Sequence, residues 1–391
     1  MKSARATKKP TGKREAGIGV KQSTAALASS RDKGGIKVRK AVKKMRAYHP
    51  PLEGRTDKLR MDFNENPIGC SSAVRRALAK LSSASISAYP EQTAVRRRLA
   101  RHFGVSAEEL LLANGTDEAL SLVVSTFVEP GDTVLLVEPT YAMYRFYSEL
   151  AGARIVAPRY SVVGAGAVGG PEAQFPWDAV MAALRERPRV FFLPNPNSPI
   201  GSVLSKAELQ RVLEAGPETV VVVDEAYFEF SGITVIPWIR RYENLIVTRT
   251  FSKTAGLAGL RLGCIFVRRE LAASMRKAQS PYPVNAGALA AGEAAIADRA
   301  FIERTVKDVR RGKEDMAKGL GQLGVEHFPS AGNFVLVRFG TRAKEIVAAL
   351  ARKGILVRDR SADFEGEGYV RVTLGTLQQT RRFLRALESI L

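Results

Sequence analysis

The chain has 391 residues, 45% hydrophobic and 25% charged, which is the balance of an ordinary globular protein with room for two domains. No stretch approaches the roughly 18 consecutive apolar residues of a membrane span, so we predict no membrane partner. Cys70 and Cys264 form neither a disulfide framework nor a metal-ligand pattern, and we predict no metal site. Their scarcity is typical of a reducing cytoplasm, where we expect the protein to reside.

The formal net charge of +21 is concentrated at the N-terminus. Residues 1–46 contain 15 Lys or Arg against Glu15 and Asp32, so they alone supply +13. With few large apolar residues, residues 1–45 are predicted to be a disordered basic tail without the apolar region of a secretory signal. The alternatives for it are a transit peptide, a nucleic-acid-binding arm, or an untranslated extension if the chain starts at Met45.

Between residues 117 and 267, short apolar runs alternate with stretches of helical period. The predicted helices are Asp117–Val128, Trp177–Arg185 and Ala207–Ala215. The predicted strands are Thr133–Val137, Val190–Leu193, Thr219–Val223, Leu245–Val247 and Gly263–Val267. Apolar strands separated by helices predict an α/β fold whose central sheet is mostly parallel and flanked by helices. Such sheets bind ligands at the carboxyl ends of their strands.

The last third of the chain has a different pattern. Phe301–Leu323 predicts one long, charged, amphipathic helix. It is followed by a strand, a helix, a strand and a helix at Asn333–Phe339, Arg342–Lys353, Tyr369–Leu374 and Gln378–Ile390. This order predicts a separate, smaller α+β domain.

The segment Thr250–Gly263 follows a predicted strand and combines a lysine with groups that suit a phosphate. The hydroxyls of Thr250 and Ser252 are neutral donors, and Arg261 adds one bidentate cation. Lys253 stands among them, and an amine in a dry, electropositive pocket is the kind that forms imines. Alone, however, a Ser-Lys pair in a glycine-rich loop is most often only a loop.

A carboxylate ends the apolar run Val220–Val223. Asp224 begins there in apolar surroundings, so it needs a cationic partner or it becomes neutral. A pyridinium nitrogen is one such partner, and Tyr227 is placed to bond a phenolic oxygen beside it. A helix cap and a Mg²⁺ ligand are the alternatives for Asp224. The lack of a Gly-x-x-x-x-Gly-Lys-Ser/Thr loop argues against the second.

A third segment, Leu112–Leu120, has the composition of a helix start. Gly115 and Thr116 precede two acidic residues and an apolar helical run, which predicts a helix N-terminus. The unpaired amides and the helix dipole make such a terminus an anion site, although most helix starts bind nothing. Together the three segments are a far more specific pattern than any one of them.

In their order and spacing these motifs resemble fold-type I pyridoxal-phosphate (PLP) aminotransferases of class I/II, and within that group histidinol-phosphate aminotransferases. The resemblance runs from about Tyr48 to the C-terminus. The segments that carry it are Asp62–Pro67, Ala88–Pro90, Asn114–Glu118, Pro139–Tyr144, Asp224–Tyr227, Ser252–Lys253, Leu260–Gly263 and Tyr369–Gly375. It implies the type I PLP-dependent transferase fold. The implied domains are an N-terminal segment packing with the small domain, a large PLP-binding domain and a small C-terminal domain, at residues 46–84, 85–286 and 287–391.

The resemblance also implies roles for residues at matching positions. Lys253 would hold PLP as a Schiff base and move the substrate proton. Asp224 would pair with the ring nitrogen, Tyr227 would bond the ring oxygen, and Tyr141 would stack on the ring. Tyr89 would reach the phosphate of the neighbouring subunit, which implies a homodimer. The phosphate would be held by Gly115, Thr116, Thr250, Ser252 and Arg261.

One position departs from the family pattern. The family has Asn-Asn-Pro-Thr-Gly after the strand Val190–Leu193, whereas this chain has Asn-Pro-Asn-Ser-Pro-Ile-Gly at Asn195–Gly201. Ser198 therefore stands where the family has an asparagine that bonds the ring oxygen. A serine hydroxyl donates the same bond at shorter reach, so we expect an active enzyme with altered cofactor electronics.

Arg358 and Arg371 match the positions that bind the substrate's anionic end in this family, and Asn333, Tyr48 and the segment Asn64–Asn66 are further candidates for substrate binding. Two arginines suit a phosphate or a carboxylate equally well. A surface role is the alternative for Arg358.

The resemblance implies transamination of L-histidinol phosphate with 2-oxoglutarate in histidine biosynthesis. An aromatic aminotransferase and a threonine-phosphate decarboxylase are the alternatives. A PLP-binding regulator is a remote one, because residues 1–46 lack the amphipathic period of a DNA-binding helical unit, and we expect no nucleic-acid partner.

Overall fold

The computed structural model describes residues 36–47, 50–163 and 171–391. The α-helices are α1 Lys40–Lys44, α2 Ser72–Ala79, α3 Ser83–Ser87, α4 Thr93–Phe103, α5 Gly115–Phe127, α6 Ala142–Ala151, α7 Trp177–Arg185, α8 Lys206–Ala215, α9 Phe228–Ser231, α10 Arg269–Ala278, α11 Ala286–Ala297, α12 Arg299–Gln322, α13 Ala343–Arg352 and α14 Leu377–Glu388. None of the helices within these residues is both long and apolar enough to cross a membrane.

The strands are β1 Leu59–Met61, β2 Leu110–Asn114, β3 Thr133–Leu135, β4 Arg154–Val156, β5 Ser161–Val163, β6 Glu172–Gln174, β7 Val190–Pro194, β8 Val220–Asp224, β9 Leu245–Thr250, β10 Leu262–Val267, β11 Glu326–His327, β12 Phe334–Arg338, β13 Ile355–Asp359 and β14 Tyr369–Thr373. Every strand and helix predicted above has a counterpart among these elements, with boundaries that differ by at most three residues. The predicted α/β fold is thereby confirmed.

The larger sheet has seven strands in the order β2-β10-β9-β8-β7-β3-β4. Only β10 is antiparallel to its neighbours, β2 and β9, and the other pairs are parallel. Both faces of this sheet are buried, as a parallel sheet between helices requires. Phe191 and Phe192 in β7 illustrate this, because the first packs into the apolar core on one face and the second into the core on the other.

The smaller sheet has five strands in the order β1-β13-β14-β12-β11. β1 pairs with β13 in parallel, and the remaining pairs are antiparallel. Its buried face packs against α12, α13 and α14 through residues such as Met316, Leu350 and Phe383. A third sheet is the hairpin of β5 and β6.

The predicted disordered tail lies mostly outside the described residues. Its described part contains α1, which packs against α6.

Candidate active site

Several predicted site residues follow strands that run in the same direction. Because β10 is antiparallel to both β2 and β9, the strands β2, β9, β8, β7 and β3 all end at one edge of the large sheet. Gly115, Asp224 and Thr250 stand at the ends of β2, β8 and β9. Arg261 precedes β10, which runs the other way, so it lies at this edge too. The fold therefore gathers these groups where an open α/β sheet binds ligands.

Asp224 is a buried carboxylate with neutral hydrogen-bond donors. The Tyr144 hydroxyl donates to Asp224 Oδ2 at 2.7 Å, and the Ala226 amide donates to Oδ1 at 3.2 Å. Burial raises the pKa of Asp224, and the hydrogen bond from Tyr144 opposes that rise. Tyr144 is itself buried and stacks on Phe192, with ring centroids 5.2 Å apart. A cation next to Asp224 would therefore offset the cost of burying its negative charge and favour the ionised carboxylate.

The start of α5 forms a cradle with Arg261. Gly115 has φ +75°, and a Cβ atom there would overlap the Arg261 guanidinium. A Cβ atom at Gly263 would lie 2.6 Å from the Gly115 carbonyl carbon, so β10 approaches the helix start closely only because residue 263 is glycine. Arg261 Nη2 donates to Asp117 Oδ2 at 2.9 Å, and Tyr141 donates to Asp117 Oδ1 at 2.7 Å.

The loop after β9 carries Lys253 shortly after two residues with hydroxyl groups, Thr250 and Ser252. Thr250 Oγ1 donates to Ser252 Oγ at 2.9 Å and accepts from the Ser252 amide at 3.1 Å. Lys253 Nζ is 3.4 Å from the Phe63 carbonyl oxygen and 5.6 Å from the centre of the Tyr227 ring. The segment that contains Phe63 thus lies over the lysine.

Tyr227, Ser198 and Arg371 are joined by hydrogen bonds. Arg371 Nη1 donates to Ser198 Oγ at 3.0 Å, and Asn64 Nδ2 donates to the Tyr227 hydroxyl oxygen at 2.9 Å. Burial alone would raise the pKa of Tyr227, but the cations of Lys253 and Arg371 and the hydrogen bond from Asn64 lower it below its ordinary value. The serine that departs from the family pattern thus contacts the predicted substrate-binding arginine.

Arg358 and Arg371 face each other across two strands. They are Cα partners in the antiparallel pair of β13 and β14, and side chains at opposed positions project from the same face. Two like charges so placed repel each other, and the nearby carboxylate of Asp363 interacts with both. Arg371 is 9% exposed, and its Nη2 donates to the Asp62 carbonyl at 2.8 Å. Asn333, also predicted for this region, is buried and donates to the Asn64 carbonyl at 3.2 Å.

One predicted residue, Tyr89, stands apart from this network. Tyr89 is 77% exposed and stacks on Tyr282, itself 56% exposed, with ring centroids 4.1 Å apart and planes at 16°. Ile86, 70% exposed, stands three residues before Tyr89 in the chain. Tyr48 lies outside the described residues.

Comparisons with known proteins show which family the chain belongs to. The profile of the family described as "Aminotransferase class I and II" matches residues 56–387. The chain therefore belongs to the class I and II aminotransferases, a family of PLP-dependent enzymes.

A histidinol-phosphate aminotransferase of Symbiobacterium thermophilum is 39% identical over 369 residues, which cover 90% of this chain and 98% of that protein. The crystal structure of histidinol-phosphate aminotransferase from Sinorhizobium meliloti in complex with PLP superposes with a TM-score of 0.80. It is 24% identical, and the match covers 93% of this chain and 99% of that one. The crystal structure of L-threonine-O-3-phosphate decarboxylase from Porphyromonas gingivalis superposes with a TM-score of 0.72. It is 26% identical over 85% of this chain and 98% of that one.

The groups at the sheet edge fit PLP chemically. The cradle of Gly115, Arg261, Thr250 and Ser252 presents amides, a guanidinium and hydroxyls, which match a phosphate. Asp224 is buried without a cation bonded to it among the described residues, which matches a protonated ring nitrogen.

Sequence reasoning missed three residues of this network: Tyr144 beside Asp224, Asp117 between Tyr141 and Arg261, and Asn64 beside Tyr227. Tyr144 stands one helical turn after Tyr141, so its position next to the sheet edge was available from the helical period. Asn64 was considered for the substrate pocket, and nothing in the sequence indicated a contact with Tyr227.

Proposed function

We propose that the protein transfers an amino group between L-histidinol phosphate and 2-oxoglutarate, a reaction of histidine biosynthesis. The observation that carries an anionic substrate is the pair Arg358 and Arg371, two opposed cations on one face of the small sheet. Arg371 and Lys253 both lie close to Tyr227. The name and the extent of the match of the Symbiobacterium protein support the same substrate. A phosphate dianion satisfies two guanidinium groups with bidentate hydrogen bonds.

Lys253, Asp224 and Tyr227 each have a separate role in the proposed reaction. Bound PLP supplies a carbonyl carbon that combines with amines and a ring that accepts the electron pair released at the substrate's α-carbon. Lys253 provides the attaching amine and, once the substrate amine displaces it, is the base that takes the α-proton. Asp224 keeps the ring nitrogen protonated, and Tyr227 donates to the ring oxygen. Because amino donor and acceptor use the same site in turn, the kinetics are ping-pong.

Cofactor retention depends on the cradle and on a second subunit. Gly115, Thr116, Thr250, Ser252 and Arg261 hold the phosphate, and Tyr141 covers the ring. In a homodimer, Tyr89 reaches the phosphate of the neighbouring subunit. The exposed pair of Tyr89 and Tyr282 supports this assembly, because stacked aromatic rings at a surface favour burial against a partner.

The site lies between a PLP-binding domain of residues 85–286 and a small domain of residues 287–391, with residues 46–84 packing on the latter. The protein works in the cytoplasm.

A substrate panel on the purified protein loaded with PLP tests the proposal. We expect kcat/KM for L-histidinol phosphate with 2-oxoglutarate to exceed that for phenylalanine at least tenfold, with glutamate as product. In Arg358→Gln the KM for L-histidinol phosphate should rise, and in Arg352→Gln, an exposed arginine at the end of α13, it should stay unchanged. A higher kcat/KM for phenylalanine would show that the enzyme is an aromatic aminotransferase.

A second candidate is decarboxylation of threonine phosphate, which the likeness to the Porphyromonas gingivalis decarboxylase favours. Incubation with threonine phosphate distinguishes the two reactions, because decarboxylation releases CO₂ without a keto acid and yields no glutamate. Our proposal predicts no CO₂ release.

The basic tail has a nucleic-acid-binding role only if the full chain shifts the mobility of DNA in a gel and a variant that starts at Met45 does not.

A further inference from the structure

Asn64 combines a buried position with a backbone conformation that most residues avoid. Its φ is +54°, in the left-handed region, and it is 1% exposed. A non-glycine residue in this region is disfavoured and persists only where its surroundings fix it. Asn333 donates to its carbonyl, and its amide donates to Thr373 Oγ1 at 3.0 Å. The surroundings therefore hold the Asn64 side chain in one place.

The contacts of the side chain define which of its ends meets Tyr227. Thr373 Oγ1 already accepts from the Asn64 amide, so its own proton needs an acceptor, and Asn64 Oδ1 lies 3.2 Å away. Thr373 is fully buried, so the reverse orientation of the amide would take that acceptor from the hydroxyl. Asn64 Nδ2 consequently points at the Tyr227 oxygen, 2.9 Å away.

A donor at the Tyr227 oxygen determines what Tyr227 itself can do. Its oxygen accepts from Asn64, and its other partner, Ser198, accepts from Arg371 and so has its own proton to donate, which leaves the Tyr227 proton for another acceptor. We propose that Asn64 is a positioning residue that makes Tyr227 a hydrogen-bond donor towards the ring oxygen of PLP. This inference rests on the proposed function, because it assigns the ring oxygen to Tyr227. The charged and titratable groups near Tyr227 are Lys253 on the loop after β9, Arg371 on β14 and Tyr144 on α6.

The visible absorbance of bound PLP measures this donation without turnover. A donor stabilises the negatively charged ring oxygen, so its loss raises the pH at which the absorbance of bound PLP changes. Asn64→Gly removes the side chain and suits the left-handed backbone. Asn64→Asp replaces the donor by a carboxylate that takes the Tyr227 proton for itself. We expect an upward shift in Asn64→Gly and a larger one, of about one pH unit or more, in Asn64→Asp.

Two controls separate positioning from a structural role. Thr373→Ser changes a residue next to Asn64 but keeps the hydroxyl that orients its amide, so its titration should stay within a few tenths of a pH unit of the wild type. In a Tyr227→Phe background, Asn64→Gly and Asn64→Asp should add little, because the hydroxyl through which they act is gone.

Unshifted titrations in both Asn64 variants, or shifts in Thr373→Ser as large as in Asn64→Asp, would overturn the inference. So would Asn64 effects that persist undiminished without the Tyr227 hydroxyl. A wild type that binds PLP with the expected absorbance but does not turn over L-histidinol phosphate overturns the proposed substrate instead, and the titrations still decide the role of Asn64.

Discussion

Asp224 lies where water is excluded, and its charge depends on the few groups that donate to it. Tyr144 is one of these, at 2.7 Å, and a hydrogen bond to a charged group is worth about 1.5–3 kcal/mol. We expect Tyr144→Phe to weaken PLP binding about 10- to 100-fold, because the carboxylate would then hold the protonated ring nitrogen less well. Titration of the apoprotein with PLP, followed by absorbance, measures the change.

Tyr147→Phe is the matched control for this prediction. Tyr147 is a half-buried tyrosine in the same helix, α6, three residues further on. Its hydroxyl has no hydrogen bond to Asp224, so the variant should bind PLP as the wild type does. Equal losses in the two variants would mean that α6 packing, and not the bond to Asp224, governs the affinity.

At the scale of elements, the contact of β10 with the start of α5 places Arg261 next to Gly115. We expect Gly263→Ala to force these elements apart, since its Cβ would lie 2.6 Å from the Gly115 carbonyl carbon and 2.9 Å from the Thr116 amide nitrogen. The variant should lose PLP affinity at least tenfold and unfold at a lower temperature. Equilibrium dialysis with PLP and thermal unfolding check both effects.

A glycine-to-alanine substitution where the added methyl group meets no neighbour should stabilise the protein instead of destabilising it. Gly321 is an exposed residue near the end of α12, and a Cβ atom there would meet nothing within 4 Å. Gly321→Ala should leave PLP affinity unchanged and stabilise the helix by up to about 1 kcal/mol. Destabilisation by both alanines would contradict a specific role for Gly263.

A second connection between elements is the ion pair of Glu109 and Arg240. The guanidinium of Arg240 donates to both Glu109 oxygens, at 2.6 and 2.7 Å, and Glu109 also accepts from the Ser106 amide at 2.8 Å. The hydrogen bond from Arg240 lowers the pKa of Glu109 from 4.5 to about 2. Because the folded-state pKa is depressed, this stabilisation is complete above the unfolded pKa and is lost as the pH falls towards about 2.

Glu109→Gln should therefore lower the free energy of unfolding by about 1 kcal/mol at pH 7, discounted for the exposure of Arg240. The difference from the wild type should shrink as the pH falls from 4.5 towards about 2, because Glu109 takes up its proton near 4.5 in the unfolded chain and only near 2 in the folded protein. Urea unfolding of both proteins over this range is the measurement. A difference that stays constant with pH would show that the charge of Glu109 contributes nothing.

At the scale of the whole molecule, the exposed residues near Tyr89 are the proposed contact with a second subunit. We expect Ile86→Asp to weaken the dimer, because a carboxylate buried at an interface lacks water and a cationic partner. Sedimentation velocity should show monomers of Ile86→Asp at concentrations where the wild type is dimeric. Leu391→Asp, at an exposed C-terminal residue, should sediment as the wild type does. A monomeric wild type would contradict the homodimer.

Much of this molecule follows from short-range patterns in the sequence. The runs Val190–Leu193 and Thr219–Val223 are continuous and apolar, so they predicted buried parallel strands, and Asp224 was expected at the sheet edge because it ends one of them. The contact of Tyr144 with Asp224 could not be predicted, because it depends on how α6 rotates above β8. The left-handed backbone of Asn64 was equally hidden, since it is fixed by residues more than 260 positions away in the sequence, Asn333 and Thr373.

The central claim is that Lys253 holds PLP and performs the proton transfer of transamination. Reduction of the PLP-loaded protein with borohydride, followed by digestion and mass spectrometry, tests it directly. We predict a pyridoxyl group on the peptide that contains Lys253. Lys253→Ala should lack this label, the visible absorbance of bound PLP and turnover of L-histidinol phosphate. A label on a different lysine, or transamination by Lys253→Ala at the wild-type rate, would contradict the account.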